Sequence, residues 1–238
     1  MKAIILASGT GKRLRPFTYQ YPKSLISIGG KTILDYQLEG LIKNGVQNVI
    51  ITTGPFREAV EEYVSKNYQI EISFVNNPEY EATNYIYTLW LVRDLIDSEA
   101  LLLHGDLLFD DILIGKLIEA AENRVLVNKE ITPPEKDFKA LVEGDRIAKI
   151  GVEISSPHAY FCAPMYKFSK IDFLRWITEI DRFVSQGKVT CYAEDALNII
   201  LEEVVLHPLY FKEFCREIDT VDDLKQARTE IYTNMRQS

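Results

Sequence analysis

Residues Ile4-Ile5-Leu6-Ala7 run into Ser8-Gly9-Thr10-Gly11, and the next dozen positions deliver Lys12, Arg13, Arg15 and Lys23. Small residues let a backbone come close to an anion and aim its N–H groups at it. Long cations placed just behind them neutralise more negative charge than amides can. The combination suits a polyphosphate. It also runs against the bias of the whole chain, whose formal net charge is −8.

Two common phosphate loops fail against this stretch. A P-loop needs four residues between its glycines and then Gly-Lys-Ser/Thr, and Gly9-Thr10-Gly11-Lys12-Arg13 has neither. A dinucleotide fingerprint needs a third glycine where Leu14 stands, and an acidic residue at the end of the second strand. That strand, Asn48 to Thr53, ends in Thr52-Thr53-Gly54. What remains is an ordered set: Gly9, Gly11, Arg13, Leu14, Pro16, Thr18, Pro22 and Lys23.

Two further clusters carry carboxylates. His104-Gly105-Asp106 follows the apolar run Leu101-Leu102-Leu103. A Mg²⁺ ligand and an ordinary turn or cap aspartate both fit that position for Asp106. Near the end of the chain, Glu217 and Asp219 alternate around Ile218, so an extended backbone points both to one side. Two carboxylates on one face repel unless a cation lies between them. Capping of a helix that opens near Val221, with Thr220 as cap and Asp222 and Asp223 in its first turn, accounts for the same acidic residues.

The elements that must position these groups follow from periodicity. Strands are expected at Ala3–Ala7, Val49–Thr53, Ile70–Val75, Ala100–His104 and Arg124–Asn128. Helices are expected at Ile33–Asn44, from Pro55 to about Lys66, at Thr83–Ile96 and at Ile112–Ala121. This alternation predicts an α/β fold with a mostly parallel central sheet covered by helices on both faces. In such sheets ligands bind beyond the carboxyl ends of the strands, where the loop and Asp106 fall. Later in the chain, Phe138–Glu143 and Arg146–Gly151 flank Gly144-Asp145 as a hairpin. Ala159–Tyr166 and Val204–Tyr210 read as strands, and Ser169–Ser185, Ala193–Glu203 and Val221 onward as helices. The pattern is one domain over 1–238, with a nucleotide-binding half near 1–130 and an acceptor-binding half near 131–238 on the same sheet.

Composition narrows the class. With 47 % apolar and 26 % charged residues, a chain of 238 residues builds a core without staples. Cys162, Cys191 and Cys215 have no zinc spacing and suggest a reducing compartment. The first apolar run is too short for a membrane span, so a soluble cytoplasmic protein with no membrane partner is expected. The acidic balance argues against nucleic acid. A monomer or homodimer fits.

The ordered loop set resembles the signature of the nucleotidyltransferase family, and nearly the full length of the chain is similar to its cytidylyltransferase branch. The likeness rests on the loop, Asn76-Asn77-Pro78-Glu79-Tyr80, the stretch Thr83 to Leu89, His104-Gly105-Asp106 and Glu217-Ile218-Asp219-Thr220. Sugar-nucleotide members end closer to Asp-Ile-Gly-Thr, so Glu217 and Asp219 favour a small acceptor over a hexose phosphate. Ser8 replaces the usual alanine, small for small, with little expected effect. Asn84-Tyr85 stands where phosphocholine enzymes carry paired asparagines.

The resemblance implies a Rossmann-like nucleotidyltransferase fold and a reaction between CTP and a small phosphate or phosphonate acceptor, phosphocholine-like, with Mg²⁺ as cofactor. Asp106, Glu217 and Asp219 would hold the metal. Arg13 and Lys23 would be the catalytic cations, both loop residues without an apparent task in the core. Leu6, Ala7, Ser8, Gly9, Thr10, Gly11 and Lys12 would line the nucleotide site with Arg13, Lys23 and Asp106, and Thr83 or Asn84 would contact the base. Tyr85, Tyr192 and Glu217 would face the acceptor. Lys129 and Lys139 either reach its phosphate or are ordinary solvated lysines. A quaternary ammonium would need aromatic faces or acidic partners. Tyr80, Tyr85, Tyr87, Trp90, Tyr160 and Tyr192 supply rings, and Glu194, Asp195 and Glu217 supply charge. Two rivals remain: a sugar-1-phosphate nucleotidyltransferase using UTP, CTP or dTTP, and a non-catalytic nucleotide-binding module. A metal-dependent glycosyltransferase is disfavoured, because Asp106 is followed by Leu107-Leu108-Phe109-Asp110 and not by Asp-x-Asp.

Overall fold

Ala3 to Leu6 and Leu101 to Leu103 are apolar at every position, as strands must be when both faces are covered. A computed structural model, which describes residues 1–235, makes them neighbours at the centre of a sheet. In chain order the elements are β1 (Lys2–Leu6), β2 (Ser27–Ile28), β3 (Lys31–Thr32), α1 (Ile33–Lys43), β4 (Asn48–Thr53), α2 (Arg57–Asn67), β5 (Glu71–Asn76), α3 (Tyr85–Leu91) and β6 (Ala100–His104). Then come β7 (Leu107–Phe109), α4 (Ile112–Glu119), β8 (Arg124–Asn128), β9 (Lys139–Glu143), β10 (Arg146–Gly151), β11 (Ala159–Phe168), α5 (Lys170–Ser185), α6 (Ala193–Ile199), β12 (His207–Tyr210), β13 (Cys215–Glu217) and α7 (Val221–Met235).

β5, β4, β1 and β6 pair in parallel in that order. The second half of the chain then inserts β11, antiparallel, between β6 and β8. β12 closes the sheet in parallel beside β8. One edge of β11 changes partner along its length, from β6 at Met165–Phe168 to β9 at Ala159–Phe161. Its register against β8 shifts between Ala163 and Tyr166, and Pro164, which has no N–H to give, sits in that bulge. The hairpin of β9 and β10 therefore extends the sheet over the end of β6. The mostly parallel mixed sheet expected from the alternation is present, with β11 and β10 running against the other strands.

Alternate residues of each strand feed two cores. Ile4 and Leu102 pack with Leu89, Trp176 and Leu197 on the face covered by α3, α5 and α6. Ile5 and Leu103 pack with Leu38, Val60 and Leu113 on the face of α1, α2 and α4. A third, smaller core gathers Leu14, Ile28, Ile33, Leu108, Ile218 and Leu224 beneath the basic loop.

Some expectations need correction. The helix expected over Thr83–Ile96 runs only Tyr85–Leu91, because the Asn84 carboxamide oxygen caps it by accepting from Tyr85 N–H. A separate 3₁₀ turn, Arg93–Leu95, follows. The helix expected over Ala193–Glu203 ends at Ile199, and the next strand starts at His207, not Val204. The two-residue strands β2 and β3 and the ribbon of β7 with β13 are too short to leave a period in the sequence.

Candidate active site

The basic loop leaves β1 at the carboxyl end of the sheet. Gly11 has φ +62°, and a Cβ there would lie 2.9 Å from Thr18 Cγ2. The Thr18 hydroxyl donates to Gly11 O at 2.7 Å, which fixes the turn. Leu14 is fully buried in the third core, so Arg13 beside it is directed outward. Gly105 lets the neighbouring turn touch this loop: a Cβ there would sit 2.7 Å from Leu6 O and 2.9 Å from Ala7 Cβ. From the other side the buried Gln37 of α1 donates its amide to His104 O at 2.9 Å and Leu107 O at 2.8 Å. Asp106 is thus held by its backbone on both sides.

β13 brings in the last carboxylates. Glu217 stands opposite Leu107 in the β7–β13 ribbon, and Ile218 N–H donates to Asp106 O at 2.9 Å. Asp223 accepts from Thr220 N–H at 2.8 Å and Asp219 N–H at 3.1 Å, while Thr220 Oγ1 accepts from Asp223 N–H at 3.2 Å. Thr220 therefore caps α7, and the cap also orients Asp219. One oxygen from each of Asp106, Glu217 and Asp219 lies within 4.8 Å of the others. The helix cap and the acidic cluster are not alternatives here; the first builds the second.

Lys23 is the counter-ion. Its ammonium donates to Asp106 Oδ2 at 2.8 Å and Asp219 Oδ1 at 2.6 Å. Arg13 Nη2 donates to Asp219 Oδ2 at 2.9 Å, with its side chain 61 % exposed along the cleft. Burial alone would lower the Lys23 pKa, but Asp106 and Asp219 outweigh it and hold Lys23 above its usual value. Burial likewise opposes charge on Asp106, and Lys23 overcomes it and lowers the carboxyl. Glu217 makes no ion pair among the described residues, and Lys23 offsets its burial only in small part. Burial, then the charges of Asp106, Asp137 and Asp219, push it well above the carboxylate range. Lys23 is therefore no free loop cation: the expectation that it has no structural task is corrected.

Asp106 Oδ1 and Glu217 Oε1 are buried without a hydrogen-bond partner among the described residues. A buried carboxylate oxygen without a donor is costly unless a cation meets it. All-oxygen ligands of this kind fit a hard divalent ion such as Mg²⁺.

These groups line part of a cleft of about 370 Å³. Leu6 to Arg13, Lys23, Thr83, Asn84, Tyr85, Asp106, Tyr192, Glu217 and Asp219 all border it. A Cβ at Gly9 would meet nothing within 4 Å, so protein packing does not demand glycine there and space is left for a ligand. Ser8 is more than a small-for-small change. Its hydroxyl lies 2.9 Å from Thr88 Oγ1, which also accepts from Asn77 Nδ2 at 2.9 Å, while the same amide donates to Thr83 Oγ1 at 3.1 Å. This buried chain ties the loop to the segment around Thr83.

Four rings that border the cleft meet in a closed circuit. Centroids are 4.6 Å apart for Tyr85–His104, 6.3 Å for His104–Phe138, 5.0 Å for Phe138–Tyr192 and 6.0 Å for Tyr192–Tyr85. Burial pushes the His104 imidazole down to about 4, so it is a neutral member of this wall. Tyr80 also borders the cleft, whereas Tyr87 and Trp90 stack on each other away from it.

Two lysines leave the site. Lys129 lies over the Tyr210 ring at 3.8 Å, in a separate shallow pocket with Tyr160 and His158. Lys139 turns its ammonium inward to Glu135 O, Asp137 O and Val152 O at 3.1, 3.2 and 2.7 Å, where it holds its own loop together. The lysine of this segment that borders the cleft is Lys136, paired with Asp223 at 2.6 Å. The sequence marked the right segment and the wrong lysines, because Lys129 and Lys136 lie in the irregular connection between β8 and β9, which leaves no period to say which way each one points. Phe138 and His104 were missed as well; their sequence signal was nearness to Lys139 and Asp106.

Residues 2–135 match the model of the nucleotidyl transferase family. The chain belongs to that family. Among relatives of this family member, CMP-5'-(3-aminopropyl)phosphonate synthase of Streptomyces rubellomurinus is 33 % identical over 135 residues, which are 56 % of this chain and 22 % of that protein. Choline-phosphate cytidylyltransferase of Streptococcus pneumoniae is 39 % identical over 94 residues, 40 % of each chain. The chain thus spans less than half the length of these two curated relatives. The inositol-1-phosphate CTP transferase of T. maritima superposes with a TM-score of 0.82 at 25 % identity, covering 97 % of this chain and 95 % of that one. The Rossmann-like nucleotidyltransferase fold and the kinship with cytidylyltransferases stand on these matches. No helix among the described residues is long and apolar enough to cross a membrane.

Proposed function

We propose that this protein transfers a cytidylyl group from CTP to a small phosphate or phosphonate that carries a positive head group, and releases pyrophosphate. The observation that carries this reading is the convergence of Lys23 and Arg13 with Asp106, Glu217 and Asp219 in a cleft that also has an aromatic wall. The names of the relatives support the nucleotide: one is a cytidylyltransferase by name, another a synthase of a CMP-phosphonate, and the structural neighbour is a CTP transferase.

The chemistry is a displacement at the α-phosphorus of CTP by an acceptor oxygen. A phosphate monoester has its second pKa near 6 and is largely dianionic at neutral pH, so it needs no general base. Neutral His104 fits that absence. The problem is to bring two anions together. Arg13 and Lys12 extend into the cleft where a triphosphate would lie against the loop, and Lys23 supplies positive charge at the transferring phosphoryl group. Asp106, Glu217 and Asp219 would hold Mg²⁺, which when bound supplies charge stabilisation at phosphoryl oxygens. Lys136, which borders the cleft, would meet the acceptor phosphate, and Tyr85, Phe138 and Tyr192 would offer ring faces to an ammonium, a contact worth about 0.5–2 kcal/mol.

The test is a matrix of CTP, UTP, dTTP, ATP and GTP against phosphocholine, phosphoethanolamine, 2-aminoethylphosphonate, inositol 1-phosphate and glucose 1-phosphate, read by pyrophosphate release with Mg²⁺. Release confined to CTP with the cationic acceptors is the expected result. Preference for another nucleotide or for glucose 1-phosphate contradicts the reading.

A further inference from the structure

Behind the aromatic wall lies a carboxylate that the chemistry above does not use. Glu194, at the start of α6, is 1 % exposed. Its Oε1 accepts from the Tyr166 hydroxyl at 2.7 Å, and its Oε2 accepts from the hydroxyl of Tyr85, whose ring faces the cleft. No cation lies within ion-pair distance of it among the described residues. The groups that face it are Tyr85 of α3, Tyr166 of β11 and its own neighbour Asp195, a like charge; α5 presents the Trp176 indole, which donates to Ala193 O instead. His104 lies beyond the Tyr85 ring and is neutral. A buried acid with two donors and no counter-ion is an expensive arrangement for packing alone. It makes sense if the missing positive charge arrives with a ligand.

We propose that Glu194 sets the charge preference of the acceptor pocket: it holds the Tyr85 ring in the wall through the tyrosine hydroxyl and supplies, from behind that ring, the negative charge that favours a cationic head group. The inference rests on the acceptor reading above and adds a residue that lines no part of the cleft. It is a positioning and specificity residue, not a catalytic one.

Burial pushes the Glu194 carboxyl up to about 8. A cation across the Tyr85 ring favours the ionised form, so binding a cationic acceptor draws a proton off Glu194. Affinity for such an acceptor therefore rises as pH rises toward 8 and levels off above it. An uncharged isostere shows no such rise. At about 10 Å and an effective dielectric of about 20, one charge shifts affinity on the order of tenfold.

The experiment compares phosphocholine with 3,3-dimethylbutyl phosphate, the same shape with carbon in place of the quaternary nitrogen, in wild type and Glu194→Gln. The quaternary ammonium does not titrate, and both phosphates are largely dianionic above pH 7, so in that range a pH effect on the ratio of the two KM values reports the protein. Wild type should favour phosphocholine increasingly between pH 7 and 8.5, by about fivefold. Glu194→Gln should lose that rise, keep turnover with the neutral ester, and show a preference about tenfold lower at pH 8.5. Should the variant fail to fold, the wild-type pH profile decides alone. A flat ratio in wild type, or an unchanged preference in the variant, overturns the inference while leaving the transferase reading intact. Transfer to neither ester overturns it together with the acceptor class, and pyrophosphate release with another acceptor would then still support a transferase.

Discussion

Replacing Lys23 by methionine should do two separable things. Lys23 donates to two carboxylates with its side chain only 14 % exposed, and those of Asp106 and Asp219 are 22 % and 9 % exposed. Removing one partner from a buried ion pair leaves the other charge uncompensated, at a cost of about 3–5 kcal/mol. Arg13 still reaches Asp219 at 2.9 Å, so the lower end, about 3 kcal/mol, applies. For a chain of this length that corresponds to a fall in Tm of roughly 6–12 °C without metal. Turnover should fall further still, by about 10²–10³, since a charge-stabilising donor at the transferring group is lost. The freed carboxylates should also bind a divalent cation more strongly than in wild type. Magnesium at 100 times its Kd adds about 2.7 kcal/mol, enough to restore most of the lost Tm. The assay is thermal unfolding of both proteins in chelator and across a Mg²⁺ titration, beside steady-state pyrophosphate release. A Lys23→Met protein with wild-type Tm in chelator and an unchanged response to Mg²⁺ would show that Lys23 is not the internal counter-ion.

Asp106→Asn should cut Mg²⁺-dependent turnover at least 10²-fold with the fold intact by circular dichroism, and full activity in chelator would refute the metal assignment. Lys139→Met should destabilise by about 2 kcal/mol, through loss of an ammonium bonded to three carbonyls, and leave the acceptor KM alone. Lys136→Ala should do the reverse, raising the acceptor KM about tenfold with little change in chemical-denaturation midpoint. The Glu194 carboxyl has a folded pKa of about 8 against 4.5 when unfolded, so between these values the folded state holds a proton that the unfolded state has lost. Stability should therefore fall as pH rises through that window, and urea melts of Glu194→Gln should lack this component.

What the sequence revealed and what it hid divide along physical lines. β1 and β6 were legible because strands covered on both faces are apolar at every position, and the loop was legible because small residues followed by cations have few other uses. The basic loop and Asp106 were placed at one edge of the sheet by the strand-end rule alone. Lys23 was misjudged because its partners lie 83 and 196 residues away, and no local pattern reports such a pair. The choice among Lys129, Lys136 and Lys139 depended on which side of β9 and its preceding loop each one faces. The aromatic circuit of Tyr85, His104, Phe138 and Tyr192 joins four separate segments, so no window of the sequence contains it. Glu194 stood out only as a charge near Tyr192; its burial against Tyr85 and Tyr166 is a product of packing.

The central claim is tested most directly by ³¹P NMR of one reaction. The protein is mixed with CTP, Mg²⁺ and equal amounts of phosphocholine and glucose 1-phosphate, and phosphorus resonances are followed with time. The account predicts pyrophosphate and a mixed diphosphate diester of cytidine and choline appearing in equal amounts, with glucose 1-phosphate unconsumed. Consumption of glucose 1-phosphate ahead of phosphocholine, or CTP left unchanged with both acceptors present, would contradict it.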